Sequence, residues 1–113
     1  MPQEKVYKYA VRLIKLRGDK KYKYAAEIED GGRIVTVRFG AAGYEDYTTH
    51  KDYDRMLRYC DRHRVAEDWS IRGIYTRGFW SRWLLWNQPG VRLSVQHLNK
   101  KFNINAKLCR NGI

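Results

Sequence analysis

Alternating apolar and polar positions predict β-strands in the first third of the chain. Residues 5–17 place Tyr and aliphatic side chains on one face and basic side chains on the other. A second alternating run follows the turn-forming residues 18–20, and a third run, residues 33–39, follows the tight-turn sequence Asp30-Gly31-Gly32. The pattern predicts a three-stranded antiparallel meander.

The apolar spacing becomes helical after the glycine-containing segment 40–43. Thr48 or Thr49 is the predicted cap of a first helix. Apolar residues at positions i, i+3, i+4 and i+7 then form its predicted buried stripe: Tyr53, Met56, Leu57 and Cys60. A separate stripe on this helix is basic and consists of Arg55, Arg58 and Arg62. Asp54 is placed to pair with Arg58 one turn away.

Two further helices are predicted in the last third of the chain. Residues 79–86 are apolar almost all round, which indicates a buried helix, and residues 91–102 have the spacing of an amphipathic helix. Residues from Asn103 onward show no clear period. We therefore predict one compact α+β domain over residues 1–103, a small sheet followed by about three helices, and a loosely ordered basic tail over residues 104–113.

The charge of the 113-residue chain is +11 and is unevenly distributed. Residues 1–26 hold eight basic and two acidic residues, and residues 27–68 hold seven basic and ten acidic residues. Residues 69–113 hold eight basic residues and no acid. Such a surplus favours a polyanionic partner, although the acidic middle segment could neutralise part of it through surface ion pairs.

The expected contacts to a nucleic-acid backbone are basic residues from both ends of the chain and from the first helix. They are Lys8, Arg12, Lys20, Lys21, Lys23, Arg55, Arg58, Arg62, Arg72, Arg77, Arg82, Lys100 and Lys101. Trp69 and Tyr75 lie in a loop near arginines and are the candidates for base stacking. Most of Trp80, Trp83 and Trp86 are predicted to be in the core.

Catalysis and metal binding find little support in the sequence. Cys60, His63, His97 and Cys109 have the composition of a zinc site, but their spacing is not that of a zinc finger. The acidic pairs are not arranged as in a nuclease, and no phosphate-binding glycine loop is present. We expect a protein without enzymatic activity, metal or cofactor.

Four motifs in order connect the chain to other proteins: F-G-x-x-G at 39–43, D-Y-T-x-H-K-D at 46–52, R-H-R at 62–64 and S-R-W-L-L-W at 81–86. With these motifs the chain resembles an uncharacterised family of small basic proteins of nucleocytoplasmic large DNA viruses, of the chlorovirus and marseillevirus kind. The resemblance implies a viral origin and a place in the infected cell, in the nucleus, in a cytoplasmic viral factory or packaged in the virion. It implies no catalytic residues.

The leading hypothesis is a DNA-binding protein, with DNA favoured over RNA, that contacts the phosphate backbone with little sequence preference. The alternative is an interaction module that docks on an acidic host or virion protein. A homodimer would join two basic faces. No apolar run could cross a membrane and no secretory signal is evident, so we expect an intracellular protein with no membrane partner.

Overall fold

The three predicted strands are present and pair in sequence order. The computed structural model describes residues 6–109. Strands β1 (Ala10–Lys15), β2 (Tyr22–Asp30) and β3 (Arg33–Ala41) form antiparallel pairs β1–β2 and β2–β3. Gly31 and Gly32 both have positive φ in the β2–β3 turn, which is the conformation that the glycine pair was expected to supply.

A fourth strand corrects the prediction of a three-stranded sheet. Strand β4 (Asn105–Cys109) pairs parallel with β1 and gives the order β3-β2-β1-β4. Residues 105–109 are therefore part of the sheet and not of a loose tail, while residues 110–113 lie outside the described residues. Ile104 and Ala106 are buried, so this short segment contributes to the core.

The helices follow the sheet and differ in detail from the prediction. They are α1 (Tyr47–His50), α2 (Tyr53–His63), α3 (Arg77–Trp80) and α4 (Val91–Phe102), with a 3₁₀ turn at Ile71–Gly73 and a π turn at Ser81–Leu85. The predicted buried helix over residues 79–86 is thus split between α3 and the π turn. In residues 6–109 no helix is long and apolar enough to cross a membrane.

The caps of the first two helices are aspartates, not the predicted threonines. Asp46 accepts a hydrogen bond from the Thr48 amide and precedes α1, and Asp52 accepts one from the Arg55 amide and precedes α2. Thr49 instead accepts from the Asp46 amide through its side chain. Both aspartates have extended backbone angles, the geometry that lets a short carboxylate reach the free amides of a helix start.

The main core lies on one face of the sheet, where the π turn, α3 and α4 cover it. Trp80, Phe79, Leu84 and Leu98 pack there and are fully buried. The opposite face, which we call the open face, carries the side chains of alternate strand residues. Those that line its shallow depression include Arg12, Glu27, Glu29, Ile34 and Lys107.

The buried stripe of α2 is shifted from the predicted one. Met56, Tyr59 and Cys60 are buried, whereas Tyr53 and Leu57 are 59% and 41% exposed. Met56, Tyr59 and Cys60 form a small second cluster with Tyr47, against which Trp69 and Trp86 pack. Because α2 packs on this cluster and not on the sheet, its buried side is narrow.

Replacing Ala106 with Asp tests the assignment of β4 to the core. Ala106→Asp should lower the free energy of unfolding by about 3 kcal/mol, because it buries a carboxylate without a partner. Lys107→Asp, at the exposed neighbouring position, should cost less than about 1 kcal/mol. Urea denaturation measures the free energy of unfolding of both variants. Equally small losses in the two variants would contradict the burial of Ala106 in β4.

The free energy of unfolding is also expected to depend strongly on the side chain of Asp46. Asp46 is buried, caps α1 and lies 2.6 Å from Lys23 Nζ through Oδ2. Asp46→Ala should cost about 2–4 kcal/mol, since it removes a cap and leaves a largely buried ammonium unpaired. The exposed Asp61, which pairs with Arg64, is the control, and Asp61→Ala should cost no more than about 1 kcal/mol in the same denaturation experiment.

Candidate nucleic-acid interface

A groove of about 440 Å³ lies between α2, the π turn and α4, and we call it the basic groove. Its charged lining residues are Arg64, Arg82 and Lys101, and His97 also lines it. No Asp or Glu among residues 6–109 lines the groove. The groove therefore presents positive charge with no acidic group in its lining.

Arg82 is held in the groove without an acidic partner. Its Nη1 donates to the Trp86 carbonyl, and its Cζ lies 4.5 Å from the Trp83 ring centroid and 5.4 Å from that of Trp69. Its Nε is buried and has no hydrogen-bond partner within the described part of the chain. Burial lowers the pKa of Arg82, yet a guanidinium stays charged at any physiological pH. Carbonyl and aromatic contacts thus stabilise a cation that retains donor capacity.

His97 and Lys101 extend the set of donors along α4. The Asn87 side-chain amide donates to the Trp83 carbonyl and lies 2.9 Å from His97 Nδ1. With that amide as donor, Nδ1 is the acceptor and the proton is on Nε2. Burial lowers the pKa of His97, and the neighbouring Lys101 and Arg82 cations lower it further. Lys101 Nζ lies 5.2 Å from the Trp83 ring centroid.

Other cations of the acid-free segment are also held by carbonyls and rings. Arg77 Nε donates to the Arg38 carbonyl at the edge of β3, with its Cζ 5.1 Å from the Tyr22 ring centroid. Arg72 is exposed and lies 3.9 Å from an Asp68 oxygen. Of the Lys and Arg residues between 69 and 109, Arg72 alone lies within 4.0 Å of a described carboxylate.

The amino-terminal cations are divided between two regions of the surface. Arg12 lies on the open face, 3.0 Å from Glu27 and opposite Lys107 of β4. The two basic ends of the chain therefore meet in the sheet, but Glu27 and Glu29 lie beside them. Three other predicted contacts lie elsewhere: Lys20 and Lys21 are exposed in the β1–β2 hairpin, and Lys8 Nζ is 5.5 Å from the Tyr9 ring centroid.

The arginine stripe of α2 faces away from the basic groove. At about 100° per residue, Arg58 and Arg62 lie on the side of the helix opposite Cys60, which lines the groove. Arg58 and Arg62 are exposed and have no carboxylate within 4.0 Å among residues 6–109. Asp54 therefore does not form the expected pair with Arg58, and Arg55 pairs with Glu45 at 3.4 Å. Lys23 is similarly engaged by Asp46.

The two stacking candidates have different surroundings. Trp69 is half-buried, its Nε1 donates to Glu67 at 2.9 Å, and the Arg82 guanidinium lies over its ring. Tyr75 is more exposed, and its hydroxyl lies 3.3 Å from Asp30. Trp69 thus acts in the structure as part of the wall that holds Arg82, and Tyr75 keeps an accessible ring.

The residues with zinc-site composition do not form a metal-binding cluster in the described part of the chain, although Cys60 and His97 both line the basic groove. Cys60 is buried against Met56, with 3.7 Å between the sulfur atoms, and His63 Nδ1 lies 3.2 Å from Glu67. Cys109 is in β4, and both cysteines are free thiols. No group of three or more potential metal ligands is found in the described residues.

The comparison with known families covers the strands of the meander and the first two helices. Residues 11–63 match the sequence profile of a family of unknown function, DUF5754. The match contains the F-G-x-x-G and D-Y-T-x-H-K-D motifs but ends before the π turn and α4, which form two walls of the basic groove. No curated protein and no solved structure matches the chain. The viral origin that the motifs suggest stays a prediction.

The basic groove was not recognised in the sequence as a unit. Arg82 and Lys101 were among the predicted contacts, whereas Arg64 and His97 were not assigned to binding. Arg64 follows the last residue of α2, and His97 lies on α4 one turn before Lys101. The i, i+4 spacing of His97 and Lys101 was the one local signal that could have linked two of its residues.

Removing Lys101 should change the titration of His97. In Lys101→Gln the pKa of His97 should rise, because one of the cations that disfavour imidazolium is lost. Lys100→Gln removes the same charge from the adjacent exposed position outside the groove and should leave the pKa of His97 nearly unchanged. NMR titration of the imidazole signals measures both, and an equal rise in the two variants would contradict the arrangement.

Proposed function

We propose that this protein is a non-enzymatic nucleic-acid-binding protein that contacts the phosphate backbone of double-stranded DNA with little sequence preference. One observation carries the proposal. Among residues 6–109, most Lys and Arg side chains lie farther than 4.0 Å from any carboxylate, and the paired ones are Arg12, Lys23, Arg55, Arg64 and Arg72. Neutralisation within the chain therefore leaves a large positive surplus at the surface, which suits a polyanion.

The exposed side of α2 is the best-suited contact surface. Arg58 and Arg62 project from a regular 11-residue helix and have no carboxylate within 4.0 Å in the described part of the chain. The planar guanidinium group of an arginine can donate two parallel hydrogen bonds to two oxygens of one phosphate. The open face of the sheet suits DNA less well, because Glu27 and Glu29 line the same depression as its cations Arg12 and Lys107 and would repel phosphates.

The exposed lysines of the β1–β2 hairpin, Lys20 and Lys21, extend the proposed contacts. Their long flexible side chains can reach a backbone without fixed geometry, which fits binding that does not read bases. The motif resemblance to proteins of large DNA viruses supports viral DNA in the infected cell as the natural partner. An acidic host or virion protein is the competing partner for the same cations.

The salt dependence of DNA affinity tests this proposal. For a closed circular duplex, the logarithm of the binding constant should fall linearly with the logarithm of salt concentration, by about 0.9 per phosphate neutralised. The double variant Arg58→Gln with Arg62→Gln should flatten this slope by about 1.8. Fluorescence anisotropy at several salt concentrations, with displacement of a labelled duplex by the circle, measures both.

The matched control removes the same charge from the open face. Arg12→Gln with Lys107→Gln should leave the slope nearly unchanged, because these cations lie beside Glu27 and Glu29. Weak binding at low salt, or a slope near zero for the unmodified protein, would disprove the proposal. A partner from infected cells that remains bound after nuclease treatment would favour the acidic protein instead.

A further inference from the structure

We infer that the basic groove is a binding site for a phosphomonoester, the terminal phosphate of a nucleotide that is either free or at the end of a DNA strand. The inference rests on the proposed function and adds to it a second site with a defined ligand. The groove is concave, measures about 440 Å³ and is separated from the arginine stripe by the width of α2.

The floor of the groove contains a cation that lacks an anion. Arg82 is mostly shielded from solvent, its Nε has no partner among residues 6–109, and its contacts are a carbonyl and two indole rings. Moving a charged group out of water is unfavourable unless other groups compensate. An oxyanion placed beside the guanidinium would form charge-assisted hydrogen bonds, which are the strongest available to it.

The remaining polar groups select an acceptor with several terminal oxygens. Lys101 and Arg64 have only donor groups, and His97 offers Nε2–H because its Nδ1 faces the Asn87 amide. Arg64 already pairs with the exposed Asp61 at 3.3 Å, so a phosphate competes with that carboxylate for it. Donors thus approach from α2, the π turn and α4. A phosphomonoester has three terminal oxygens to meet them, whereas a carboxylate or a backbone phosphodiester has two.

The other half of the groove offers an apolar surface for the group attached to the phosphate. Tyr53 and Leu57 line the groove from α2, and both are substantially exposed. An aromatic ring with a free face can stack on a nucleobase with little preference for its identity. The combination of cationic and aromatic lining residues therefore fits one nucleotide unit.

The shape of the groove explains why a terminal phosphate is favoured over the backbone of a duplex. The Arg82 guanidinium lies between helices and its Nε is buried, so a small or single-stranded ligand approaches it more readily than a rigid duplex does. A free nucleotide or an unpaired strand end can enter. Both carry the same phosphomonoester chemistry, so the experiment separates the two sources.

Isothermal titration calorimetry of the full chain at low salt is the test. The ligands are deoxyadenosine monophosphate, deoxyadenosine, inorganic phosphate, and a single-stranded hexanucleotide with or without a 5′-phosphate. The monophosphate should bind more tightly than inorganic phosphate, and deoxyadenosine should bind at least about tenfold more weakly than the monophosphate. If the hexanucleotide binds more tightly with a 5′-phosphate than without one, a strand end is a ligand. Binding of the monophosphate identifies the free nucleotide as a ligand.

Variants of single lining residues locate the binding. Lys101→Gln and Arg82→Gln should each weaken the monophosphate about tenfold, since each removes a charge-assisted hydrogen bond. Lys100→Gln changes the net charge equally from outside the groove and should retain the affinity. Arg82 is packed between two indoles, so Arg64→Gln provides a second groove variant if Arg82→Gln does not fold.

Two results would overturn the inference. One is that neither the monophosphate nor the 5′-phosphorylated hexanucleotide binds, and the other is that Lys100→Gln and Lys101→Gln weaken binding equally. Closed circular DNA has no strand ends, so its binding reports on the proposed function separately. Binding of the circle without binding of either the monophosphate or the 5′-phosphorylated hexanucleotide would refute the groove site alone. Binding of the monophosphate without binding of the circle would refute the backbone proposal alone.

Discussion

The absence of acidic residues after Asp68 is the constraint that shapes the carboxy-terminal half of this protein. Its arginines and lysines have no carboxylate in their own segment, and aromatic rings or backbone carbonyls contact Arg77, Arg82 and Lys101 instead. Arg82 illustrates this best, because it connects Trp69, Trp83 and the Trp86 carbonyl in one contact set. Cation–π contacts of this kind are stronger when the groups are shielded from water.

This contact set connects three parts of the fold. The Trp83 indole donates to the Trp69 carbonyl at 2.9 Å and lies beneath Lys101 of α4. On the other side, Trp86 stacks parallel on Tyr59 of α2 with 4.2 Å between ring centroids. Between these contacts the helical turn is a π turn, which is wider than an α-helical turn, because the Trp86 amide donates to the Ser81 carbonyl five residues earlier. The walls of the basic groove are therefore built from the interactions that stabilise the helices.

Two acids of the middle segment have structural roles and are not available to neutralise the surface. Asp46 caps α1 and binds Lys23. Glu67 accepts from the Trp69 indole, and a side-chain carbon at position 78 would come within 2.6–2.9 Å of its carboxyl group. A side chain at position 78 would displace this carboxyl group, so Gly78 lets Glu67 lie against the start of α3. Neither carboxylate is therefore free to pair with the exposed cations of the proposed DNA contact.

The sequence alone determined the features that depend on neighbouring residues. Alternation in β1 to β3, the glycine turn, the amphipathic α4 and the uneven charge could all be read locally, because periods of two and 3.6 residues require no distant partner. The predicted cap of the first helix was wrong by two or three residues. Asp46 and Thr49 both have side chains that can cap a helix, and only the backbone angles show which of them precedes it. The dense apolar and aromatic residues of segment 79–86 likewise predicted the burial of Trp80 and Trp83.

Only the tertiary structure decided the place of β4 and the existence of the basic groove. Parallel pairing of β4 with β1 joins segments at opposite ends of the chain, and the few apolar residues of β4 form too short a period to indicate a strand. Arg64, Arg82 and Lys101 belong to three different elements, so their convergence has no signature in the order of residues. Their charges were evident from composition, but which cations meet an acid, a ring or one another depends on how the helices pack.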